Sequence, residues 1–239
     1  MNPLLEVIGL EKQFPGCRAL TGVDMTIPQG HIVGLLGPNS SGKTTLLKTI
    51  AGLLVPSAGQ IRYYEDAVPG TQTRAMIGFC PDTMTFPRWM RVSNAFKFFE
   101  EMYPDYSEER ADELCNILEL KNVWNSHVRT LSKGMKERLA LGLTFSRKTK
   151  LYMLDEPLDG IDPVGKMRVI DAILAMQPED SSTLISTHLV KDIERILDSV
   201  HFLSKGRVVY SGVCDDIRET SGKTVEQMYL EVFIREGSI

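Results

Sequence analysis

The sequence predicts one α/β domain with a helical segment inserted into it. Apolar strand-like runs alternate with helical patterns in two stretches, 4–79 and 151–210, which indicates an α/β core. Residues 82–148, between these halves, have helical spacing instead. A glycine-rich segment at 37–45 joins an apolar run to a helical pattern, and no repeat or obvious linker divides the chain. These observations favour a single domain.

The composition is that of an ordinary soluble globular protein. The chain has 239 residues, of which 43% are hydrophobic and 24% charged, and this excludes disordered, collagen-like and fibrous classes. Its net charge of −4 gives no sign of a basic surface for nucleic acid. No apolar run approaches the roughly 20 residues that span a bilayer, and the first residues lack the pattern of a secretory signal. Any membrane role is therefore expected to need a partner that supplies the membrane segment.

The first half begins with strands, and its glycine-rich segment leads into a helix. A turn at Pro28 to Gly30 precedes the apolar run at 31–36, and a helical pattern extends from Thr44 to Leu54 before Pro56. Strand-like patterns are predicted in five runs: 4–8, 23–27, 31–36, 60–64 and 76–79.

The inserted stretch carries an aromatic stripe and one clear helix start. Phe96, Phe99 and Tyr103 fall on one helical face. Packing within a helical lobe is the favoured interpretation of this stripe, and docking of a partner is the alternative. Ser107 is followed by two glutamates, a pattern that predicts a helix N-terminus because the hydroxyl can cap it and the acids suit its dipole.

The second half repeats the alternation of strand and helix and ends in a tail. Strand-like patterns recur at 151–154, 183–186 and 200–210, and the tail has the spacing of a packing or dimer-supporting helix. The expected organisation is an α/β core at about 1–81 and 149–212, a helical lobe at about 82–148 and a helical tail at about 213–239.

The glycine-rich segment matches the phosphate-binding pattern GxxxxGK[ST] in the required setting, with an apolar strand before it and a helix after it. In such a P-loop, successive backbone N–H groups and the helix N-terminus surround phosphates. Lys43 is predicted to reach the β- and γ-phosphates, and the Thr44 hydroxyl to bind Mg²⁺. The predicted nucleotide-binding residues of the loop are Gly37, Pro38, Asn39, Ser40, Ser41, Gly42, Lys43, Thr44 and Thr45.

A second copy of the letters Ser-Gly-Lys-Thr occurs at 221–224. Ile217 stands where the first glycine of the pattern would fall, and no apolar strand leads into the segment. A surface turn is therefore the better interpretation.

Two carboxylates end the apolar run that begins at Leu151. The C-terminal ends of strands form the ligand-binding edge of an open α/β sheet, so Asp155 is predicted to hold Mg²⁺ as the acidic partner of the P-loop. Glu156 is then available as a general base that polarises the attacking water. Without the P-loop upstream, such an Asp-Glu pair would often serve only to form the turn after the strand. Together the two elements predict a P-loop NTPase.

The segment Leu131 to Lys136 narrows the class further. It opens a helix, predicted to be amphipathic, that runs through Leu139 and Phe145. Placed between a P-loop and a strand-borne Asp-Glu pair, it resembles the LSGGQ-like signature of ATP-binding-cassette (ABC) transporters. Over about residues 4–212 the chain resembles the nucleotide-binding subunit of such a transporter, and its LSKGM form is similar to that of bacterial ABC-2-type exporters.

This resemblance implies a fold, a mechanism and partners. The fold would be that of an ABC ATPase: a RecA-like core, an antiparallel β subdomain and an inserted α-helical subdomain. Two ATP molecules and Mg²⁺ would lie between two such chains in a homodimer or heterodimer, which closes on ATP and reopens on hydrolysis. An integral membrane subunit would bind the dimer at the cytoplasmic face of the membrane, and the chain by itself would be soluble.

The resemblance also assigns roles to individual residues. Ser132, Gly134 and Met135 would contact the γ-phosphate held by the opposite subunit, with Lys133 in place of a glycine. His188 matches the histidine that reaches the γ-phosphate and joins Glu156 and Lys43 in catalysis. Two further positions have alternatives: Phe14 matches the aromatic that stacks on adenine but could be core, and Asp162 matches an acidic position at the dimer interface but also suits a helix N-cap.

One position departs from the family pattern. After the strand at 77–81, the family usually has a glutamine that contacts the metal and the water, whereas this chain has Asp82. An aspartate can still bind Mg²⁺, but it is shorter and does not donate when ionised. The adjoining segment 83–92 would line the groove for the membrane subunit by resemblance, although its aromatic residues could instead pack under the helical lobe.

Two other classes of P-loop protein are alternatives to a transporter subunit. A mechanical ABC ATPase that acts on ribosomes or DNA usually has two cassettes or a long coiled coil, and this chain has neither. A P-loop kinase of small molecules would not need the Leu131 to Met135 segment or His188.

Overall fold

The computed structural model describes residues 3–63, 75–178 and 180–237.

The smaller of the two sheets in this part of the chain is antiparallel. The strands of this sheet are β1 (Pro3–Phe14), β2 (Cys17–Pro28) and β4 (Ala58–Tyr63), in the order β2-β1-β4. It is the antiparallel β subdomain that the resemblance implies. Residue 64, in the run predicted as a strand, lies outside the described residues.

The larger sheet carries the ligand-binding edge. Its strands are β3 (Ile32–Leu36), β5 (Ile77–Cys80), β6 (Leu151–Asp155), β7 (Ser182–Thr187), β8 (Ser199–Ser204) and β9 (Arg207–Val213). Their order is β5-β6-β7-β3-β8-β9, parallel except where β8 and β9 form an antiparallel hairpin. Every residue of β3, β6, β7 and β8 is buried, as expected for strands covered on both faces.

The helices follow in chain order. They are α1 (Lys43–Ile50), α2 (Val92–Met102), α3 (Glu108–Ile117), α4 (Lys133–Phe145), α5 (Pro163–Met176), α6 (Val190–Ile193), α7 (Cys214–Ser221) and α8 (Val225–Arg235). Short 3₁₀ turns occupy Lys121–Val123, Val128–Thr130 and Glu194–Ile196. Helix α3 begins directly after Ser107, whose hydroxyl accepts from the Arg110 N–H, so the predicted N-cap is confirmed.

Two apolar cores stabilise this arrangement. One joins the small sheet, α1 and one face of the large sheet, and includes Leu5, Leu35 and Leu46, all fully buried. The other joins the opposite face to the helical lobe, where Phe145 of α4 stacks on Tyr152 of β6 with ring centroids 4.5 Å apart. Burial of such apolar surface is the main favourable term in folding.

The aromatic stripe of α2 packs within the lobe. Phe96 is buried and its ring centroid lies 5.4 Å from that of Trp124, while Phe99 lies 5.0 Å from Tyr103. The Arg147 guanidinium lies 4.0 Å from the centroid of the Tyr103 ring, a cation–π contact. The interpretation of the stripe as internal packing is therefore confirmed.

Two helix predictions are corrected by the structure. Helix α1 ends at Ile50 and not at Leu54. Gly52 adopts φ 69°, in the left-handed region, and Leu53 N–H donates back to the Lys48 carbonyl, which is a common way for an α-helix to terminate. Helix α4 is not amphipathic, because every residue from Arg138 to Phe145 is buried. Its sides face both the lobe and the sheet, so no solvent-facing stripe is left in that part.

The chain after β7 also differs in detail from its prediction. The run 200–210 is two strands joined at Lys205 and Gly206, which have φ 47° and 78°, as a tight hairpin turn requires. The tail forms two helices, and Phe233 of α8 is buried 6.2 Å from the Phe202 ring of β8. Packing of the tail on its own chain is thus confirmed.

Candidate active site

The P-loop connects β3 to α1 at the C-terminal edge of the large sheet. Gly37 N–H donates to the Thr187 carbonyl at 3.3 Å, which attaches the start of the loop to the neighbouring strand β7. The first intrahelical bond of α1 is Leu46 N–H to the Gly42 carbonyl at 2.9 Å. The N–H groups of Lys43, Thr44 and Thr45 therefore have no acceptor inside the helix and, at its positive end, suit an anion.

Two glycines let other backbone segments approach the P-loop closely. A Cβ at Gly37 would lie 2.3 Å from the Leu203 carbonyl oxygen, and one at Gly42 would lie 2.8 Å from the Ala19 oxygen. Gly42 also has φ 111°, which L side chains rarely adopt. In addition, Gly206 N–H donates to the Ser41 carbonyl at 2.9 Å, so the β8–β9 turn supports the loop.

Ser40 occupies a conformation that favours glycine. Its φ is 65°, in the left-handed region. A non-glycine residue there carries a strain of about 1 kcal/mol or more, and such strain concentrates at functional sites. The serine is thus accommodated at a position where glycine would fit without strain.

Lys43 is almost fully enclosed and has three oxygen contacts. Its side chain is 6% exposed. The Nζ atom donates to the Gly37 carbonyl at 2.8 Å and to the Pro38 carbonyl at 3.2 Å, and it lies 3.0 Å from Glu156 Oε1. The ammonium therefore joins the P-loop to the carboxylate that follows β6.

Glu156 lies between two of the predicted catalytic residues. Its other carboxylate oxygen, Oε2, lies 3.0 Å from His188 Nδ1 and accepts from the His188 N–H at 3.3 Å. Its backbone has φ 51° and its N–H donates to the Ser186 carbonyl at 3.0 Å, which fixes the turn after β6. A strained residue held by two separate segments, the start of α1 and the end of β7, is typical of a preorganised site.

Asp155 ends β6 with one oxygen paired and one unpaired. The carboxylate is 2% exposed, and Oδ1 accepts from the Ser186 hydroxyl at 2.6 Å. Oδ2 is buried and accepts no hydrogen bond within the part of the chain that the structure describes. Because an unpaired buried carboxylate oxygen is costly, this atom is suited to a cation or to a water bound to one. This carboxylate oxygen therefore fits Mg²⁺, which prefers oxygen ligands.

A cavity of about 540 Å³ opens over these groups. The phosphate-binding and catalytic groups line this cavity. It is also lined by the start of β2, at Cys17, Arg18 and Ala19, and by the β8–β9 turn. Asp82 lines the cavity with Thr44, whereas Asp155 does not; Asp82 and Asp155 together line a smaller second cavity. Further lining residues are Asn39, Ser40, Gly42, Lys43, Thr44, Thr45, Glu156, Asp159, His188, Lys205 and Gly206.

Phe14 is not among the lining residues of this cavity. It ends β1, is half-buried, and has Lys12 Nζ 5.0 Å from its ring centroid. Its role in stacking on adenine stays a prediction.

The signature residues and Asp162 stand at the starts of two helices, outside the lining of the cavity. Ser132 caps α4 through its hydroxyl, which accepts from the Met135 N–H at 3.2 Å, and Gly134 lies in the first turn. Asp162 caps α5 by accepting from the N–H groups of Val164 and Gly165, so its interpretation as an N-cap is confirmed. The contacts of these residues with nucleotide remain predictions.

Several residues of the site have no role assigned from the sequence, and Ser186 and Asp159 are two of them. Ser186 binds Asp155 and supports Glu156, and it pairs directly with Asp155 in the parallel register of β6 and β7. The sequence signal that could have indicated this role is the position of Ser186 at the end of the apolar run 183–186. Asp159 lines the cavity and is held by Lys133, which only the tertiary structure reveals.

The fold and the site together define a P-loop NTPase: a phosphate-binding loop after a parallel strand, with two carboxylates at the end of a neighbouring strand. Residues 20–159 match the ABC transporter family. The chain belongs to that family and is an ATP-binding subunit of an ABC transporter.

Relatives and solved structures agree with this membership. The chain is 31% identical over 241 residues to YdbJ, an uncharacterized ABC transporter ATP-binding protein of Bacillus subtilis, covering 100% of this chain and 77% of that protein. It is 28% identical over 233 residues to the daunorubicin resistance ATP-binding protein DrrA3 of Streptomyces coeruleorubidus, covering 95% and 74%. A solved ATP-binding subunit of an ABC transporter superposes with a TM-score of 0.84 at 28% identity, over 96% of this chain and 99% of that one.

Family membership explains the main features of the site. ABC ATPase domains bind ATP and generally require Mg²⁺, and ABC ATP-binding subunits associate with membrane transporter subunits. Across the described ranges, no helix is long and apolar enough to cross a membrane.

Proposed function

We propose that this chain binds ATP with Mg²⁺ at the P-loop, hydrolyses it to ADP and phosphate, and so drives an ABC exporter. One observation carries the proposal: Glu156 is held between Lys43 and His188 at the mouth of the P-loop, 3.0 Å from each. This places a carboxylate base, a cation and an imidazole around one position beside the phosphate-binding amides.

The P-loop supplies the binding energy for the phosphates. The free N–H groups at the start of α1 and the Lys43 ammonium converge on the cavity, where they stabilise the negative charge of the phosphates and the charge that develops during transfer. Because these groups are already fixed by the fold, they need little reorganisation when the nucleotide binds.

The metal would be held by the Thr44 hydroxyl, Asp155 and Asp82. The unpaired Asp155 Oδ2 supports this assignment, since the described part of the chain offers it no donor. Mg²⁺ supplies positive charge that offsets the phosphate oxygens when bound. Asp82 stands where the family pattern usually has glutamine, so it would act on the metal or on its water as an anion.

Glu156 would polarise the attacking water as the general base. In the structure its Oε1 is paired with the Lys43 ammonium at 3.0 Å. Phosphate oxygens compete for the same ammonium, so nucleotide binding would release Glu156 to the water. His188, which shares the carboxylate, would orient it and reach toward the γ-phosphate.

The site would be completed by a second subunit. Ser132, Gly134, Met135 and Asp162 lie at helix N-termini that are outside the lining of their own chain's cavity. The positive end of α4 suits a γ-phosphate presented by another chain. ATP would therefore hold two chains together and hydrolysis would release them, a two-state switch.

The membrane subunit would dock beside the segment 83–92. Trp89 is 66% exposed, which suits docking of a membrane subunit. Phe86 packs against the core of the helical lobe, which is the alternative role expected for the aromatic residues of this segment. Leu53 and Val55 are exposed as well. An exporter is supported by the LSKGM signature and by the relative named for daunorubicin resistance. The chain would thus be a peripheral protein at the cytoplasmic face.

Hydrolysis is tested by mixing the purified chain with ATP and measuring free phosphate. Release of phosphate that requires Mg²⁺ and stops with excess EDTA supports the proposal. Transfer of the γ-phosphate to a metabolite in a cell extract would instead indicate a kinase and would reject it.

The transport role is tested by identifying what copurifies with the chain from detergent-solubilised cells. An integral membrane protein whose recovery falls in a Trp89→Ala variant supports an exporter subunit. Copurification of ribosomes or DNA without any membrane protein would instead support a mechanical ATPase.

A further inference from the structure

The signature segment is joined to the wall of the nucleotide cavity by an ion pair within the same chain. Lys133, the first residue of α4, has its Nζ 2.9 Å from Asp159 Oδ2, on the turn that follows Glu156. Asp159 lines the cavity, whereas Lys133 does not. Lys133 instead lines the adjacent smaller cavity together with Asp155 and Glu156, so it contacts Asp159 from outside the nucleotide cavity.

The turn is shaped to receive this lysine. Gly160 has φ 70°, and a Cβ built on it would lie 2.6 Å from Lys133 Nζ and 3.0 Å from Lys133 Cδ. The lysine side chain thus lies directly against the glycine. A second carboxylate, Glu137 Oε1, is 3.6 Å from the same ammonium, one helical turn farther along α4.

The same turn carries the proposed general base. Asp159 N–H donates to the Glu156 carbonyl at 3.1 Å, so displacement of Asp159 would disturb the residue that faces Lys43 and His188. The hydrogen bond from Lys133 is the main cause that holds the pKa of Asp159 below its ordinary value. Asp159 is therefore an anion beside the space that a triphosphate would occupy, and it needs a counter-charge.

We propose that Lys133 is a positioning residue of the ATP site: it fixes Asp159 in the cavity wall and offsets its charge, so that the triphosphate is not repelled. This inference rests on the proposed function, because it assumes that MgATP binds in the cavity. It gives a role to the lysine that stands in place of the first glycine of the LSGGQ-like signature.

The test is a double-mutant cycle on nucleotide binding. The dissociation constant of a fluorescent ATP analogue with Mg²⁺ is measured for the full chain, Lys133→Ala, Asp159→Asn and the double variant. We expect Lys133→Ala to raise this constant about three- to fivefold at low salt, the range of exposed ion pairs. In the Asp159→Asn background the same change should have no effect, because the repelling charge is gone.

Two further measurements separate a charge effect from a structural one. Lys133→Arg should keep wild-type affinity, and the defect of Lys133→Ala should shrink at high salt because both groups are partly exposed and are screened. Lys97→Ala is the matched control: it removes an exposed lysine paired with Glu101 at 3.9 Å, away from the cavity, and should change nothing.

Equal effects of Lys133→Ala in both backgrounds, or no effect in either, would overturn the inference. A wild-type chain that binds the analogue but releases no phosphate would count against the proposed hydrolysis alone. A wild-type chain that does not bind the analogue would reject both.

Discussion

The letters Ser-Gly-Lys-Thr occur at 41–44 and again at 221–224, in very different surroundings. Both copies place their glycine in the left-handed region, with φ 111° at Gly42 and 65° at Gly222. Both also stand just before a helix: the first copy runs into α1 and the second leads into α8. The local backbone is similar, so the difference between the copies lies in what surrounds them.

The two lysines differ in where their partners come from. Lys43 is enclosed and contacts Glu156, 113 positions away in the chain, as well as two carbonyls of its own loop. Lys223 is 39% exposed and pairs with Glu231, eight positions away in the adjacent helix. Thr224 caps that helix through its hydroxyl, which accepts from Gln227 N–H. The prediction of a surface turn at the second copy is confirmed.

This contrast shows which part of the motif carries function. The short sequence is sufficient for a turn and a helix start. A phosphate site additionally requires a buried strand before the loop and a neighbouring strand that brings carboxylates to the same edge. The following predictions test that division, beginning with the largest expected effect.

Glu156→Gln should retain ATP binding and lower the rate of phosphate release by about 10²- to 10⁴-fold, because the amide keeps the shape but cannot accept a proton. Phosphate release and binding of a fluorescent ATP analogue are measured in parallel. Glu231→Gln is the matched control, since it alters the lysine partner in the second copy, and it should hydrolyse at the wild-type rate. Wild-type turnover in Glu156→Gln would refute the assignment of the base.

Lys43→Ala should weaken both nucleotide binding and turnover, by about tenfold or more in each, because a charge-assisted contact with phosphate is lost. Lys223→Ala removes the lysine of the second copy and should leave both values unchanged. Titration with the fluorescent analogue and a phosphate assay check this pair. Equal losses in the two variants would contradict the distinction between the copies.

Ser40→Gly and Gly222→Ala should shift stability in opposite directions. Glycine at position 40 relieves the left-handed strain, and we expect stabilisation of about 0.5–1 kcal/mol, or roughly 1–3 °C in Tm. Alanine at 222 meets no atom within 4 Å, so its cost comes from the backbone conformation alone and should be similar in size. Thermal unfolding measures both, and shifts of the same sign would contradict the argument.

The smallest predicted effect concerns the hairpin on which the P-loop rests. His201 of β8 is buried between the Ser211 hydroxyl at 2.7 Å and the Thr26 carbonyl at 3.0 Å, and burial lowers its pKa below 6.5. The unfolded chain therefore binds a proton at a higher pH than the folded one. Stability should be lost as pH falls below about 6.5, by under about 1 kcal/mol between pH 7 and pH 6.

Denaturant unfolding at several pH values measures this loss. In His201→Gln the contribution of this histidine to the pH slope should disappear, even though the variant is less stable overall. An unchanged slope in that variant would show that other groups are responsible.

Much of the site was accessible from the sequence because its parts are local. The strand–loop–helix setting of the P-loop, the carboxylates at the end of β6 and the caps at Ser107 and Asp162 each depend on a few adjacent residues. The error at the end of α1 was local, whereas the error at α4 and the unassigned role of Asp159 arose where distant residues decide. From Arg138 to Phe145, helix α4 is buried on all sides because it packs against both lobe and sheet, which its own spacing does not reveal. The pair of Lys133 with Asp159 joins residues 26 positions apart and has no periodic signal.

The sequence alone determined the chemical groups and the local backbone that presents them: amides at a helix start, a lysine, two carboxylates and a histidine. Only the tertiary structure decided that they meet. The parallel register that aligns Asp155 with Ser186, and Leu36 with Thr187, brings Gly37, Glu156 and His188 to one edge of the sheet. The reason is physical, since local propensities act over a few residues, whereas contacts between distant segments form only when burial of a shared core offsets the entropy of ordering the chain.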